Sequence, residues 1–235
     1  MRFADRQDAG RRLASLLGHL AVDPAVDGPV DGAVDGAVDG PVDGAGNDIV
    51  VLGLPRGGVP VALEIALALS APLDVIVVRK LGAPFQPELA MGAIGEGGVR
   101  LVDEGVVRSI GATAVEIAAI EQRERAELAR RAHQFRGDTA PIAVEGRTVV
   151  IVDDGIATGS SARVACRIIR ARGAARLVLA VPVAPERWTR DLRGEADEFV
   201  CVSAPRWYRS VGEWYRDFTQ TTDDEVIRCL ELASR

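Results

Sequence analysis

The chain has 235 residues, with 28 Lys and Arg against 34 Asp and Glu and a formal net charge of -6. That size suits one large domain or two small ones, able to bury roughly 70% of its unfolded surface without disulfide or metal staples. The negative balance argues against sequence-independent nucleic-acid binding, no apolar run reaches the roughly 20 residues of a membrane span, and the opening segment Met1-Arg2-Phe3-Ala4-Asp5-Arg6 lacks an apolar signal core.

Ala9, Leu13, Leu16, Leu17 and Leu20 recur at helical spacing with Arg11 and Arg12 opposite, which predicts an N-terminal helix. Six tetrads of the form Val-Asp-Gly/Pro-Ala/Pro follow over residues 22–45 and carry six Asp; the rest of the chain is formally neutral. Gly and Pro recurring through them prevent a helix, and one Val per tetrad cannot build a core, so the segment reads as a disordered insert. Beyond it the pattern alternates between β and α. Ile49–Leu54 is a strand buried on both faces, Val59–Leu69 a helix with Pro60 in its first turn, and Leu73–Val78 a second buried strand. Leu89–Glu96 and Val99–Val102 flank Gly97-Gly98 as a hairpin, and Thr113–Phe135 is a long charged helix with supporting pairs such as Glu121 and Arg125. That helix equally suits water and a homodimer contact.

Thr148–Val152 is the strongest strand. Ser160–Arg172 is a helix stopped by Gly173, and Leu177–Val183 and Glu198–Val202 are strands separated by a helix near Pro185–Leu192. Thr222-Asp223-Asp224-Glu225 is a capping box that opens a last helix, Glu225–Leu232. Strands alternating with helices predict an α/β fold with a doubly wound, mainly parallel sheet, whose ligands bind beyond the carboxyl ends of the strands. The whole of 1–235 is expected to form one domain, with 203–235 as a C-terminal hood or tail. Cys166, Cys201 and Cys229 are scattered and only two His exist, which argues against a structural zinc site and fits a reducing cytosol. Cys166 lies at helix spacing from Ala162 and Ile169 and is expected in the core. Of the 28 basic residues only Lys80 is a lysine.

The loop after Thr148–Val152 carries the chemistry: Asp153-Asp154-Gly155-Ile156-Ala157-Thr158-Gly159-Ser160-Ser161. A helix start presents unpaired N–H groups and a partial positive charge, and Thr158, Ser160 and Ser161 add hydroxyls, so Ala157–Ser161 suits a phosphate. No lysine follows Gly159, so it is not a Walker A loop. Adjacent carboxylates suit neighbouring hydroxyls or a divalent cation. The combination points to a sugar phosphate, with its diol at Asp153 and Asp154 and its terminal phosphate at Ala157–Ser161.

Val149–Ser161 also resembles the phosphoribosyl-pyrophosphate signature of type I phosphoribosyltransferases, where the acidic pair binds the ribose 2- and 3-hydroxyls and the loop the 5-phosphate. Leu54-Pro55-Arg56-Gly57-Gly58-Val59-Pro60 is similar to the pyrophosphate loop of that family, which often holds a non-proline cis peptide; here it would fall between Pro55 and Arg56. Arg79-Lys80 resembles the pair that touches pyrophosphate in adenine and orotate phosphoribosyltransferases, and Ala83–Gly92, with Gln86 and Glu88, would be the mobile loop covering the site. Ala157 stands where hypoxanthine-guanine enzymes hold an Asp against purine N7, which sets this chain nearer the adenine, orotate and uracil enzymes. The family builds its base-binding hood from chain ends. Here Trp207-Tyr208 and the following tract to Phe218 hold five of the ten aromatic residues, and Trp207 and Tyr208, directly after a strand, are expected to stack on the base. Over nearly the whole chain outside the tetrads, the pattern resembles a bacterial group of phosphoribosyltransferase-like proteins of unassigned substrate.

The resemblance implies a cytoplasmic, Mg²⁺-dependent enzyme that transfers phosphoribose from phosphoribosyl pyrophosphate to a small nitrogenous base, with Asp153 and Asp154 serving ribose and Mg²⁺. Arg56, Gly57, Gly58, Arg79 and Lys80 would serve pyrophosphate. Alternatives are a non-catalytic sensor of phosphoribosyl pyrophosphate and a hydrolase of ribosyl phosphates. Regulation through DNA is disfavoured, since no basic face or helix-turn-helix pattern is present.

Overall fold

The computed structural model describes residues 2–21 and 48–234. The tetrads at 22–45 lie outside the described residues. Five parallel strands form the main sheet: β1 (Ile49–Gly53), β2 (Leu73–Val75), β6 (Thr148–Val152), β7 (Arg176–Val183) and β8 (Glu198–Ser203), in the order β2-β1-β6-β7-β8. β6 is central, registered Ile49 to Thr148 on one side and Thr148 to Arg176 on the other. Side chains on a strand alternate between faces, so each of these apolar runs serves two cores. Val149, Ile151, Leu177 and Leu179 pack under α5 (Ser160–Ala171), against Ala165, Cys166 and Ile169. Val150, Val152, Val178 and Ala180 pack under α1 (Arg6–Ala14) and α2 (Gly58–Leu69), against Leu13, Val61 and Ile65. Burying each such Val, Leu or Ile contributes about 1.5–3 kcal/mol against the chain entropy. Cys166 is core as expected, and burial pushes its thiol up to about 12.

The expected strand Leu73–Val78 is two strands. β2 stops at Val75, and β3 (Val78–Ala83) belongs to a separate antiparallel sheet with β4 (Gln86–Gly95) and β5 (Arg100–Val102). The break falls where Ile76 enters the core beneath α5 and Val77 enters a third core shared with α4 (Ala114–Arg136). The segment expected to be a covering loop, Ala83–Gly92, is mostly hairpin: β3 turns through Pro84 and Phe85 into β4, leaving Phe85 exposed at the tip. A short helix α3 (Glu104–Ile110), capped by Asp103 through the amides of Gly105 and Val106, was not anticipated. The helix near Pro185–Leu192 shortens to α6 (Trp188–Asp191), and α7 (Asp223–Ala233) opens on the expected Thr222–Glu225 capping box. No described helix is long and apolar enough to cross a membrane.

One buried ionic knot fastens the small sheet to the large one. Arg136, at the end of α4, reaches Asp74 of β2 at 2.5 Å and Glu96 after β4 at 2.5 Å, and donates to the Val75 carbonyl at 2.6 Å. Asp74 also accepts the amides of Val75 and Ile142. The Arg136 and Asp74 side chains are 6% exposed and that of Glu96 10%. This knot ties the end of α4 and the turn after β4 to the edge strand β2.

Candidate active site

Asp153 and Asp154 follow the central strand at its carboxyl end. The chain then turns through Gly159, whose φ of +73° admits few other residues, and enters α5. Asp153, the loop Gly155–Ser161 and Val211 line a hollow of about 180 Å³. The N-cap Gly159 has no side chain to cap α5 and only the Ser160 amide meets a hydroxyl, that of Thr158 at a long 3.5 Å, so the helix start and its dipole can receive an anion. Thr158 donates its hydroxyl to Ser160 at 3.2 Å, and the Lys80 ammonium donates to the same Ser160 hydroxyl at 2.8 Å. The single lysine is therefore carried from β3 to the mouth of this cup.

The loop after β1 lies alongside, because β1 and β6 are neighbours. The Pro55–Arg56 peptide bond is cis. A Cβ on Gly57 would fall on the Asp154 carboxylate, and one on Gly58 would stand 2.5 Å from the Val152 carbonyl oxygen and 2.9 Å from the Asp153 Cα. Only glycine lets these two loops touch. The Arg56 guanidinium points away toward α7, 3.9 Å from Asp223.

The two carboxylates stand in different surroundings. Asp154 Oδ2 accepts from Arg6 Nε at 2.9 Å and Arg6 Nη2 at 2.8 Å, and the Asp154 carbonyl accepts from the Tyr215 hydroxyl at 2.6 Å. Asp153 accepts only the amide of Asp154, at 2.9 Å, among the described contacts. Burial, and then the neighbouring Asp154 charge, raises the Asp153 carboxyl well above the ordinary range. Burial raises Asp154 too, with the Arg6 cation pulling it back. Arg6 and Tyr215 are site residues that sequence reasoning missed. A capped helix start at Asp5, with an arginine directly after it, was the only local sign.

Arg79 and Lys80 diverge, as consecutive strand residues must. Arg79 turns to α4 and pairs with Glu124 at 2.6 Å, while Lys80 meets the cup. Trp207 and Tyr208 follow β8. Trp207 is 85% exposed and helps frame an open cleft of about 550 Å³ with Trp214, Arg2 and Arg209. Tyr208 is half-buried, its hydroxyl without a partner among the described residues, and burial followed by the Asp154 charge pushes the phenol up. The structure thus brings Asp153, Gly57, Gly58, Lys80 and Ala157–Ser161 together with Asp154 beside them; Arg79 is paired to Glu124 but borders with Lys80 and Ser161 an adjoining hollow of about 620 Å³, and Arg56 and Trp207 point elsewhere.

The phosphoribosyl transferase domain family model matches residues 37–218. The Mycobacterium tuberculosis H37Rv protein named "Putative phosphoribosyl transferase Rv0571c" is 49% identical over 233 residues, 99% of this chain and 47% of that protein. The counterpart in strain CDC 1551 gives the same values. The chain therefore spans about half the length of the curated relatives it matches. The crystal structure of TT1426 from Thermus thermophilus superposes with a TM-score of 0.79 at 39% identity, covering 98% of each chain.

Proposed function

This chain belongs to the phosphoribosyl transferase domain family, and from that premise we propose that it transfers phosphoribose from phosphoribosyl pyrophosphate to a small nitrogenous base. The observation that supports this most is the meeting of an uncapped α5 terminus, a carboxylate at its lip and Lys80 across its mouth. The 5-phosphate sits on the amides and hydroxyls of Ala157–Ser161. Asp153 accepts from the ribose hydroxyls, while the Gly57 and Gly58 backbone and the Lys80 ammonium face the pyrophosphate. A ring or amino nitrogen of the base attacks C1, and the C1–O bond breaks with its electron pair leaving on pyrophosphate. The proton of the attacking nitrogen passes to pyrophosphate or solvent. Positioning and leaving-group electrostatics lower the barrier, with no protein nucleophile. Tyr208 lies near enough to the acidic pair to border the acceptor.

No three His, Cys, Asp or Glu side chains converge among the described residues. Asp153, which no cation contacts, would therefore hold Mg²⁺ together with substrate oxygens and water, the usual manner of binding for this ion. When bound, Mg²⁺ neutralises charge developing on pyrophosphate.

The test is a panel of purines, pyrimidines and orotate incubated with phosphoribosyl pyrophosphate and Mg²⁺, following pyrophosphate release. One responding base supports the reading. Lys80→Met should then lower kcat/KM roughly a hundredfold by stripping a charge from the leaving group, with the melting temperature little changed. A second reading, a non-catalytic sensor of the same ligand, is favoured by the ion pairing of Asp154 to Arg6 and of Arg79 to Glu124. Tight ligand binding with no turnover across the whole panel would select it.

A further inference from the structure

We propose that Arg6 is a positioning residue of this site, holding the Asp154 carboxylate against the glycine loop so that Asp153 alone meets the sugar hydroxyls. The inference rests on the phosphoribosyl reading and divides the acidic pair into two unlike roles.

Each of the three nitrogens of the Arg6 guanidinium has a partner. Nε and Nη2 reach Asp154 Oδ2, and Nη1 donates to the Thr219 carbonyl at 2.8 Å. The guanidinium Cζ lies 4.1 Å from the Phe218 ring centroid, and the side chain is 12% exposed. A cation paired in this way acts on the site through Asp154. That residue is fixed twice more, by the Tyr215 hydroxyl on its carbonyl and by Gly57, where even a Cβ would collide with the carboxylate.

The need for such a device follows from charge. Two carboxylates on consecutive residues at a strand end repel one another and lose hydration. Neutralising one with a guanidinium fixes its direction and leaves the other turned to the cup, where Asp153 contributes to the lining. Without Arg6, Asp154 is an unpaired, largely enclosed anion that must swing toward water. Its amide, which orients Asp153 at 2.9 Å, moves with it. The Phe3 amide to Trp214 carbonyl bond at 2.7 Å and the Arg216 amide to Phe3 carbonyl bond at 2.8 Å hold the segment before α1 against the same tail, so Arg6 arrives at Asp154 already positioned.

Calorimetric titration of ribose 5-phosphate, without metal, into folded protein tests this. The comparison includes wild type, Asp153→Asn, Asp154→Asn, Arg6→Gln and the Arg6→Gln/Asp154→Asn double variant. Asp153→Asn should weaken binding about a hundredfold or more, and Arg6→Gln about tenfold, as loss of an orienting partner does. The double variant should bind no more weakly than Arg6→Gln alone, because the two residues act as one unit. Wild-type affinity in Arg6→Gln, losses that multiply in the double variant, or an Asp154→Asn defect equal to that of Asp153→Asn would each overturn the assignment. If Arg6→Gln does not fold, Phe218→Leu removes only the ring beneath the guanidinium. It should weaken binding in wild type yet not in Asp154→Asn, and an effect equal in both backgrounds would overturn the proposal. Failure of the wild type itself to bind ribose 5-phosphate would instead sink the phosphoribosyl reading.

Discussion

Asp153→Asn should cut base-dependent pyrophosphate release by about 10²–10⁴-fold while leaving the folded protein as stable as wild type or more so. The size follows from two charge-assisted hydrogen bonds to the ribose diol, each contributing about 1.5–3 kcal/mol. The stability side follows from linkage. Burial and the Asp154 charge raise the Asp153 carboxyl above its ordinary 3.8, so the folded state binds this proton more tightly than the unfolded chain does. Wild-type stability from this group is therefore full below pH 3.8 and is lost as pH rises through the raised value, where the asparagine variant has nothing to lose. Thermal melts of both proteins at acid and mildly alkaline pH, beside the pyrophosphate assay, check the two halves together. Turnover retained in Asp153→Asn, or a variant melting well below wild type at alkaline pH, contradicts the assignment.

Arg136→Met should be the most destabilising substitution outside the site. It keeps the stem of the side chain but abandons two buried carboxylates, Asp74 and Glu96, and an uncapped Val75 carbonyl. Breaking a buried ion pair from one side costs roughly 3–5 kcal/mol, which for a chain of this size lowers the melting temperature by about 6–20 °C. Adding Asp74→Asn and Glu96→Gln should recover much of the loss, since the penalty lies in stranded charge. Below its melting point the single variant should also bind pyrophosphate less well, because the knot anchors β4, the strand that pairs with Lys80-bearing β3, to β2. A melt within 2 °C of wild type, on the order of experimental scatter, would show that the carboxylates find other partners.

The strand–loop–helix from Thr148 to Ala171 was legible almost residue by residue because everything that shapes it is local: a β-branched strand, a glycine at positive φ, hydroxyls at a helix start. The divided run at 73–83 was not. Leu73–Val78 is almost evenly apolar, and nothing in such a run says that Ile76 and Val77 belong to different cores. The same break puts Arg79 and Lys80 on a strand, where Arg79 turns to Glu124 and Lys80 to Ser160. Asp103, two and three residues ahead of the amides it caps, was a readable signal for α3 that the flanking glycine obscured. Arg6 joins Asp154 across 148 residues of chain, and pairings at that separation leave no local trace.

The placement of β6 between β1 and β7 has a kinetic meaning. Its register with β1 joins Ile49 to Thr148, so the entire β3–β5 sheet and both helices after it are enclosed in the loop that this pairing closes. Contacts so distant in sequence form late and slowly, while the enclosed hairpins can assemble from neighbours alone. The hairpin that carries Lys80 precedes in sequence the acidic loop it meets. The cup at Ala157–Ser161 is built from neighbours in sequence, whereas its meeting with Lys80 joins residues 80 positions apart.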